Sequence, residues 1–123
     1  PIIVSAFILF AIGGWTMVVW GVAARVVFGW HTTWFVNSLS HIYGKRPHDT
    51  GDLSTNNWFV AILTFGEGWH NNHHMWPTSA RHGTAWYQFD MNWIAICIFE
   101  RLGWAKNIKL AAETPPIELK QAA

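Results

Sequence analysis

The sequence predicts an all-α integral membrane protein, in which one transmembrane helix continues into a helical cytoplasmic part. Three observations lead to this fold class. Residues 1–24 contain no charged side chain, and the helical pattern then continues to Ile42 without a proline. Residues 86–104 form a further amphipathic pattern with helical spacing.

The composition limits the class of protein. A chain of 123 residues normally forms one domain, and 51% hydrophobic residues with only 12% charged residues exclude a disordered chain. Eight basic and seven acidic residues provide no basic surface for nucleic acid. The single cysteine, Cys97, leaves no disulfide within the chain. Because the chain begins with Pro1, we expect a processed protein or a piece of a longer one.

Residues 1–24 are long enough to cross a membrane. At a rise of about 1.5 Å per residue, 24 residues exceed a hydrocarbon core of about 30 Å. A signal peptide and a buried helix of a soluble protein are the alternatives. The first charge is Arg25 and all others follow it, so the positive-inside rule places residues 25–105 in the cytoplasm.

A polar stripe follows on the continuing helix. Thr33, Asn37 and His41 recur every four residues, with Trp34 beside them, and share one helical face. Polar groups near a bilayer need partners. Two interpretations stay open: a hydrogen-bonded packing face, or a face that binds a metal and its water. His31 lies off this face and is not predicted to be a ligand.

A polar loop separates this helix from the next. Residues 43–57 contain Gly, Pro, Asp and Ser–Thr–Asn turn signals, and residues 58–65 form an apolar run too short to span a membrane. The run leads into Gly66-Glu67-Gly68. The Glu67 carboxylate is predicted either to orient a ligating imidazole by a hydrogen bond or to stabilise the start of the following helix.

Three histidines follow within five residues. On a helix, His70 and His74 lie one turn apart on one face, with His73 on its edge. Neutral imidazole nitrogens bind zinc, copper, iron or nickel. The cluster therefore predicts a metal site.

Beyond Pro77, which ends this helix, the chain is again polar. His82 has no spacing relation to the cluster and is predicted to lie on the surface. Residues 86–104 are expected on a membrane or against the rest of the protein. Residues 106–123 are expected to form a loosely ordered tail.

Several motifs together resemble the membrane fatty acid desaturases. They are Asn37-Ser38-Leu39-Ser40-His41, Gly44-Lys45-Arg46-Pro47, Gly66-Glu67-Gly68-Trp69-His70-Asn71-Asn72-His73-His74 and the closing Leu102-Gly103-Trp104-Ala105. The likeness covers residues 25–105 and is closest to stearoyl-type enzymes, which place a first, delta-nine double bond in a saturated acyl chain.

The resemblance implies a centre of two iron ions held almost entirely by histidines. It implies four direct ligands: His41, His70, His73 and His74. Asn37 would reach one iron through a water molecule, and Thr33 and Trp34 would shape the acyl tunnel. In this family two earlier histidine motifs supply further ligands, and none precedes Asn37 here. We therefore expect the C-terminal part of a desaturase, with an incomplete di-iron site and no activity by itself.

The resemblance also implies a reaction. Dioxygen and two electrons would introduce a cis double bond into a fatty acyl chain, presented as a coenzyme A ester, a lipid or a carrier-bound form. A ferredoxin or b-type cytochrome would supply the electrons on the cytoplasmic side of the membrane. The alternatives are a membrane fatty acid or alkane hydroxylase with the same type of histidine motif, a non-catalytic zinc-binding membrane protein, and purely structural histidines.

Overall fold

The computed structural model describes residues 2–111, and these form helices and connecting loops without a named strand. The elements are α1 (Ile2–Val18), a π-helical segment (Val19–Ala24), α2 (Arg25–Ser38), a 3₁₀ turn (Leu39–His41), α3 (Trp58–Leu63), α4 (His70–Met75) and α5 (Met91–Arg101). The all-α prediction is confirmed for this part of the chain. The predicted tail falls mostly on residues 112–123, outside the described range. The chain divides into two compact units, with the boundary after Trp34.

The N-terminal unit contains the uncharged stretch. Ile2–His41 is long and apolar enough to cross a membrane by length and composition. Its backbone leaves the helical conformation at Gly13 and Gly14, where Gly14 has φ +63°. A Cβ on Gly21 would meet the side chain of Leu9, so the chain reverses at the glycine pair. Where a single helix was predicted over residues 1–24, the structure has two helical pieces, because glycine adopts this conformation without steric cost.

Helical backbone continues through Arg25, and the pattern predicted for residues 26–42 forms α-helix as far as Ser38 and a 3₁₀ turn over Leu39–His41. The polar side chains of this part of α2 bond to its own backbone. The hydroxyl groups of Thr32 and Thr33 each donate to the carbonyl oxygen of Gly29, both at 2.9 Å. His31 Nδ1 lies 2.8 Å from the carbonyl oxygen of Val27. Such bonds satisfy polar groups within the helix, which lowers the cost of apolar surroundings.

The C-terminal unit has a polar interior. Among the residues that the structure describes, its buried apolar side chains are Val36, Val60, Ala61 and Trp69. Buried polar residues are more numerous: Ser40, Thr50, Ser54, Thr55, Asn56, Thr64, His70, Asn71, Asn72, Ser79, Gln88 and Asp90. Buried polar groups destabilise a fold unless they are hydrogen-bonded, so this unit depends on its hydrogen-bond network.

Two caps fix the ends of its helices. The Asn57 side chain accepts hydrogen bonds from Phe59 N and Val60 N and begins α3. Asp90 Oδ1 accepts a bond from Trp93 N and begins α5, while Oδ2 accepts from His82 N and Gly83 N. An N-cap side chain typically contributes about 1 kcal/mol. Asp90 therefore also fastens the chain segment that follows α4.

The turn between α3 and α4 brings two backbone segments into contact. The carbonyl oxygen of Gly68 accepts a hydrogen bond from Asn57 N at 2.8 Å. A Cβ at Gly68 would meet the backbone of Ala61 and Asn57. Only glycine fits at this point, and the close approach sets where α4 begins.

We predict that Gly68→Ala destabilises the protein by about 1–3 kcal/mol or more, because the added methyl group meets backbone atoms that cannot move aside. The measurement is the melting temperature of the complete gene product in detergent, followed by tryptophan fluorescence. Gly29→Ala is the control, since its Cβ would meet no atom within 4 Å in the structure. Equal melting temperatures for the two variants would contradict this account of the turn.

Candidate metal centre

Three histidine side chains of the C-terminal unit converge through the same ring nitrogen. His70 Nε2 lies 3.1 Å from His41 Nε2 and 3.0 Å from His74 Nε2. These three residues form a group whose ligand atoms all lie within 4.8 Å of one another. His70 is buried, with 6% of its surface exposed, and the other two are half-buried. The arrangement is that of ligands around a common point.

Two elements supply these side chains. His70 and His74 are one turn apart on α4, so the helix presents both rings on one side. His41 ends the 3₁₀ turn, whose neighbouring residue Ser40 is fully buried. The Ser40 carbonyl oxygen accepts bonds from Thr55 N at 2.7 Å and Thr55 Oγ1 at 2.9 Å. The same loop that connects α2 to α3 therefore holds His41 in place.

His73 belongs to a neighbouring cluster. Its ring centroid lies 4.5 Å from that of His82, compared with 5.9 Å from that of His70. His82 Nδ1 lies 3.4 Å from Glu67 Oε2, and Glu67 Oε1 accepts a hydrogen bond from Asn92 at 2.9 Å. The Glu67 carboxylate thus touches His82, which in turn packs on His73.

The prediction that His82 is a surface residue is wrong. Its side chain is 17% exposed and contacts the histidine cluster. The reason is the fold of the segment after Pro77: Asp90 binds the backbone of His82 and Gly83 and turns the chain back toward α4. No spacing in the sequence indicates this reversal.

Burial favours the neutral form of two of these imidazoles, His70 and His73. Burial, followed by the nearby rings of His74 and His41, lowers the pKa of His70 to about 4. Burial also lowers the pKa of His73, with the neighbouring His82 adding to the effect. The hydrogen bond from His82 lowers the pKa of Glu67 against the opposing effect of burial. At pH 7 His70 and His73 therefore offer neutral imidazole, the form that binds metal ions.

Sequence reasoning missed three residues that hold this arrangement. Asn71 and Asn72 are almost completely buried, on the sides of α4 away from the converging rings. Asn72 donates to the carbonyl oxygen of His82, to Thr84 Oγ1 and to Gln88 Oε1, and accepts from Asn56. Asp52 contacts His74. Uncharged asparagines between the clustered histidines were a usable signal, because a two-turn polar helix needs partners on its other sides.

The remaining predicted residues lie on α2. Asn37 is exposed in the C-terminal unit, four residues before His41. Thr33 and Trp34 are exposed in the N-terminal unit. Thr33 donates to its own helix, as described above, and the Trp34 ring lies 5.3 Å from that of His31, centroid to centroid.

The sequence model of the fatty acid desaturase family matches residues 1–96 of the chain. That is well over half of its length. The chain belongs to the fatty acid desaturase family. Membership in this family agrees with the histidine geometry described above.

Several curated desaturases are similar to the chain. An sn-1 stearoyl-lipid 9-desaturase of Synechocystis sp. is 55% identical over 107 residues, which are 87% of this chain and 34% of that protein. An acyl-CoA C20 Delta5-desaturase of Anemone leveillei is 53% identical over 109 residues, 89% of this chain and 35% of that protein. A chloroplastic palmitoyl-monogalactosyldiacylglycerol delta-7 desaturase of Arabidopsis thaliana is 51% identical over 108 residues, 88% of this chain and 29% of that protein. The chain spans about a third of the length of these relatives.

The donor set fits the iron that this desaturase family generally uses. The three converging donors are imidazole nitrogens, which suit iron, zinc, copper and nickel. The opposite nitrogen of His70, Nδ1, is buried and has no hydrogen-bond partner among the described residues, and the same is true of His73 Nδ1. Among the described residues, the polar contacts of the His70 ring are therefore made through Nε2, on the side of the shared point.

We predict that His70→Ala or His74→Ala removes most of the iron from the complete gene product, because each deletes one of three converging nitrogens. The measurement is iron per protein by elemental analysis after purification in detergent. The control is His48→Ala, since the His48 ring packs on Trp76 rather than on the cluster. Iron retained at the unmodified level in both cluster variants would contradict the site.

Proposed function

We propose that this chain forms part of a membrane fatty acid desaturase that introduces a cis double bond of the delta-nine type into a saturated acyl chain. The observation that carries the proposal is the convergence of His41, His70 and His74 through Nε2 in a member of this family. The stearoyl-lipid 9-desaturase among its relatives supports the choice of position.

The proposed iron ligands are His41, His70, His73 and His74, with Asn37 reaching iron through water. The packing of His73 on His82, apart from the other three, supports its assignment to a second iron. Glu67 would orient this part of the site through its contact with His82. Thr33 and Trp34 are proposed to line the acyl chain, because they are exposed on α2 upstream of His41.

The proposed setting is a membrane, with the histidines on its cytoplasmic side. The apolar composition and length of Ile2–His41, with no charged residue before Arg25, support insertion. All charged residues lie at or after Arg25, and the positive-inside rule then supports the orientation.

Removing hydrogen from unactivated methylene groups exceeds the chemistry of protein side chains. Bound iron would supply, from dioxygen and two electrons, an oxidant strong enough for it. The contribution of this chain is to hold neutral imidazoles in fixed positions and to keep the group half-buried or buried. The electrons are proposed to come from a ferredoxin or b-type cytochrome.

The form of the acyl substrate is best tested directly. The names of the relatives include an acyl-CoA desaturase and lipid desaturases. The proposed substrate is therefore a fatty acyl chain bound to coenzyme A, to a membrane lipid or to a carrier.

We predict that the complete gene product, expressed in a host that lacks desaturase activity, produces monounsaturated fatty acids with a cis double bond at carbon nine. Fatty acid profiling by gas chromatography and mass spectrometry, with separate analysis of the acyl-CoA and lipid pools, checks product and carrier. The matched control is the His70→Ala variant, which should yield no unsaturated product.

Three outcomes would overturn this proposal. Hydroxy fatty acids without new double bonds would indicate a hydroxylase. Zinc in place of iron, together with no oxygen consumption when reductant and substrate are supplied, would indicate a non-catalytic zinc-binding protein. Activity retained by His70→Ala would indicate that the histidine is structural.

A further inference from the structure

His74 has different partners at its two ring nitrogens. Nε2 faces the shared point, 3.0 Å from His70 Nε2. Nδ1, on the opposite side of the ring, lies 2.5 Å from Asp52 Oδ2. A carboxylate at Nδ1 favours the tautomer that carries its proton there and leaves the Nε2 lone pair available for a metal.

Asp52 is itself held by its loop. Its other carboxylate oxygen, Oδ1, accepts hydrogen bonds from Thr50 Oγ1 and from Ser54 N, both at 2.8 Å. Its backbone carbonyl oxygen accepts a bond from the Arg46 guanidinium group. One oxygen therefore fixes the carboxylate to the loop, and the other is left to face His74.

Helix α4 is hydrogen-bonded to the same loop. Asn71 Oδ1 accepts a bond from His48 N at 2.9 Å, and Asn71 Nδ2 donates to the carbonyl oxygen of His48 at 3.0 Å. Nδ2 also lies within hydrogen-bond distance of Thr50 Oγ1 and Ser54 Oγ, at 3.3 and 3.2 Å. Thr50 and Ser54 both bind Asp52. Asn71, three residues before His74 on α4, therefore links the loop that carries Asp52 to the helix that carries His74.

We propose that Asp52 is a positioning residue that holds the His74 ring in the tautomer and orientation that direct Nε2 to iron. This inference rests on the proposed function, because it requires His74 to bind metal. Carboxylate partners of ligating histidines raise the basicity of the ligand, and their loss typically costs about ten- to a hundredfold in metal affinity or activity.

The test uses Asp52→Asn in the complete gene product. Asparagine has the same size and keeps an oxygen for Thr50 and Ser54, but it removes the carboxylate charge at His74. The affinity for Fe²⁺ is measured by competition with a chelator, and the metal-free protein is melted in parallel. We expect Fe²⁺ affinity to fall about ten- to a hundredfold, while the melting temperature of the metal-free protein changes little.

The matched control is Asp49→Asn. Asp49 lies in the same loop, is exposed and accepts one bond from Gly51 N at 3.3 Å, so its variant should keep the unmodified Fe²⁺ affinity. Asp52→Glu, which retains the carboxylate, is expected to recover part of the affinity lost in Asp52→Asn. If Asp52 only stabilised the loop, Asp52→Asn would not lower Fe²⁺ affinity without also lowering the melting temperature, and Asp52→Glu would not restore Fe²⁺ affinity.

The possible failures can be told apart. Unchanged Fe²⁺ affinity in Asp52→Asn, with loss of iron in His74→Ala, would overturn the role of Asp52 and leave the metal site standing. Iron retained in His74→Ala would overturn the metal site itself and the positioning role with it. A fall in affinity that accompanies an equal loss of metal-free stability in Asp52→Asn would assign Asp52 to the fold alone.

Discussion

A helix of six residues is too short to be stable by itself, so α4 depends on hydrogen bonds from its neighbours to hold its histidines. Its two asparagines make those bonds in different directions. Asn71 binds the loop of residues 48–54, and Asn72 binds Asn56 and the segment of residues 82–88. Each side chain is buried, so breaking either set would leave unpaired polar groups in the interior. The fixed rings of His70 and His74 follow from this double attachment.

The same network explains why the imidazoles can lie so close together. His70 Nε2 lies 3.1 Å from His41 Nε2 and 3.0 Å from His74 Nε2, so positive charge on all three rings would cause strong repulsion. Burial favours the neutral form, as the lowered pKa of His70 shows. The opposite side of the group is stabilised differently: hydrogen bonds from Ser54, Thr50 and His74 outweigh partial burial and hold the pKa of Asp52 well below its usual range. The His70 ring therefore favours its neutral form and the Asp52 carboxylate its charged form, a combination suited to a cation.

The C-terminal unit reverses the usual distribution of residues in a soluble domain. Its interior is rich in hydrogen-bonded Ser, Thr and Asn, while α3 and α5 expose about half of Ile62, Ile94 and Ile98. Exposed apolar surface of this extent is typical of contact with a membrane or with other protein. The hydrogen bonds among the buried Ser, Thr and Asn side chains make this interior compatible with such surroundings, because hydrogen bonds strengthen where water is excluded. This distribution agrees with the membrane setting proposed for the chain.

The sequence predicted what local spacing determines. Residues four apart on a helix share a face, so His70 and His74 converge, and the predicted stripe of Thr33, Asn37 and His41 brought His41 into the same hypothesis. The part that failed depends on long-range contacts. His82 lies beside His73 because Asp90 binds its backbone nitrogen from eight residues away, and Asp52 reaches His74 across 22 residues of sequence. The reversal at Gly13–Gly14 was missed for another reason: the absence of charge predicts apolar surroundings but does not determine the direction of the chain. Spacing thus identified the histidines that converge on one side of α4, whereas Asp52 and His82 come from loops and could be found only in the folded structure.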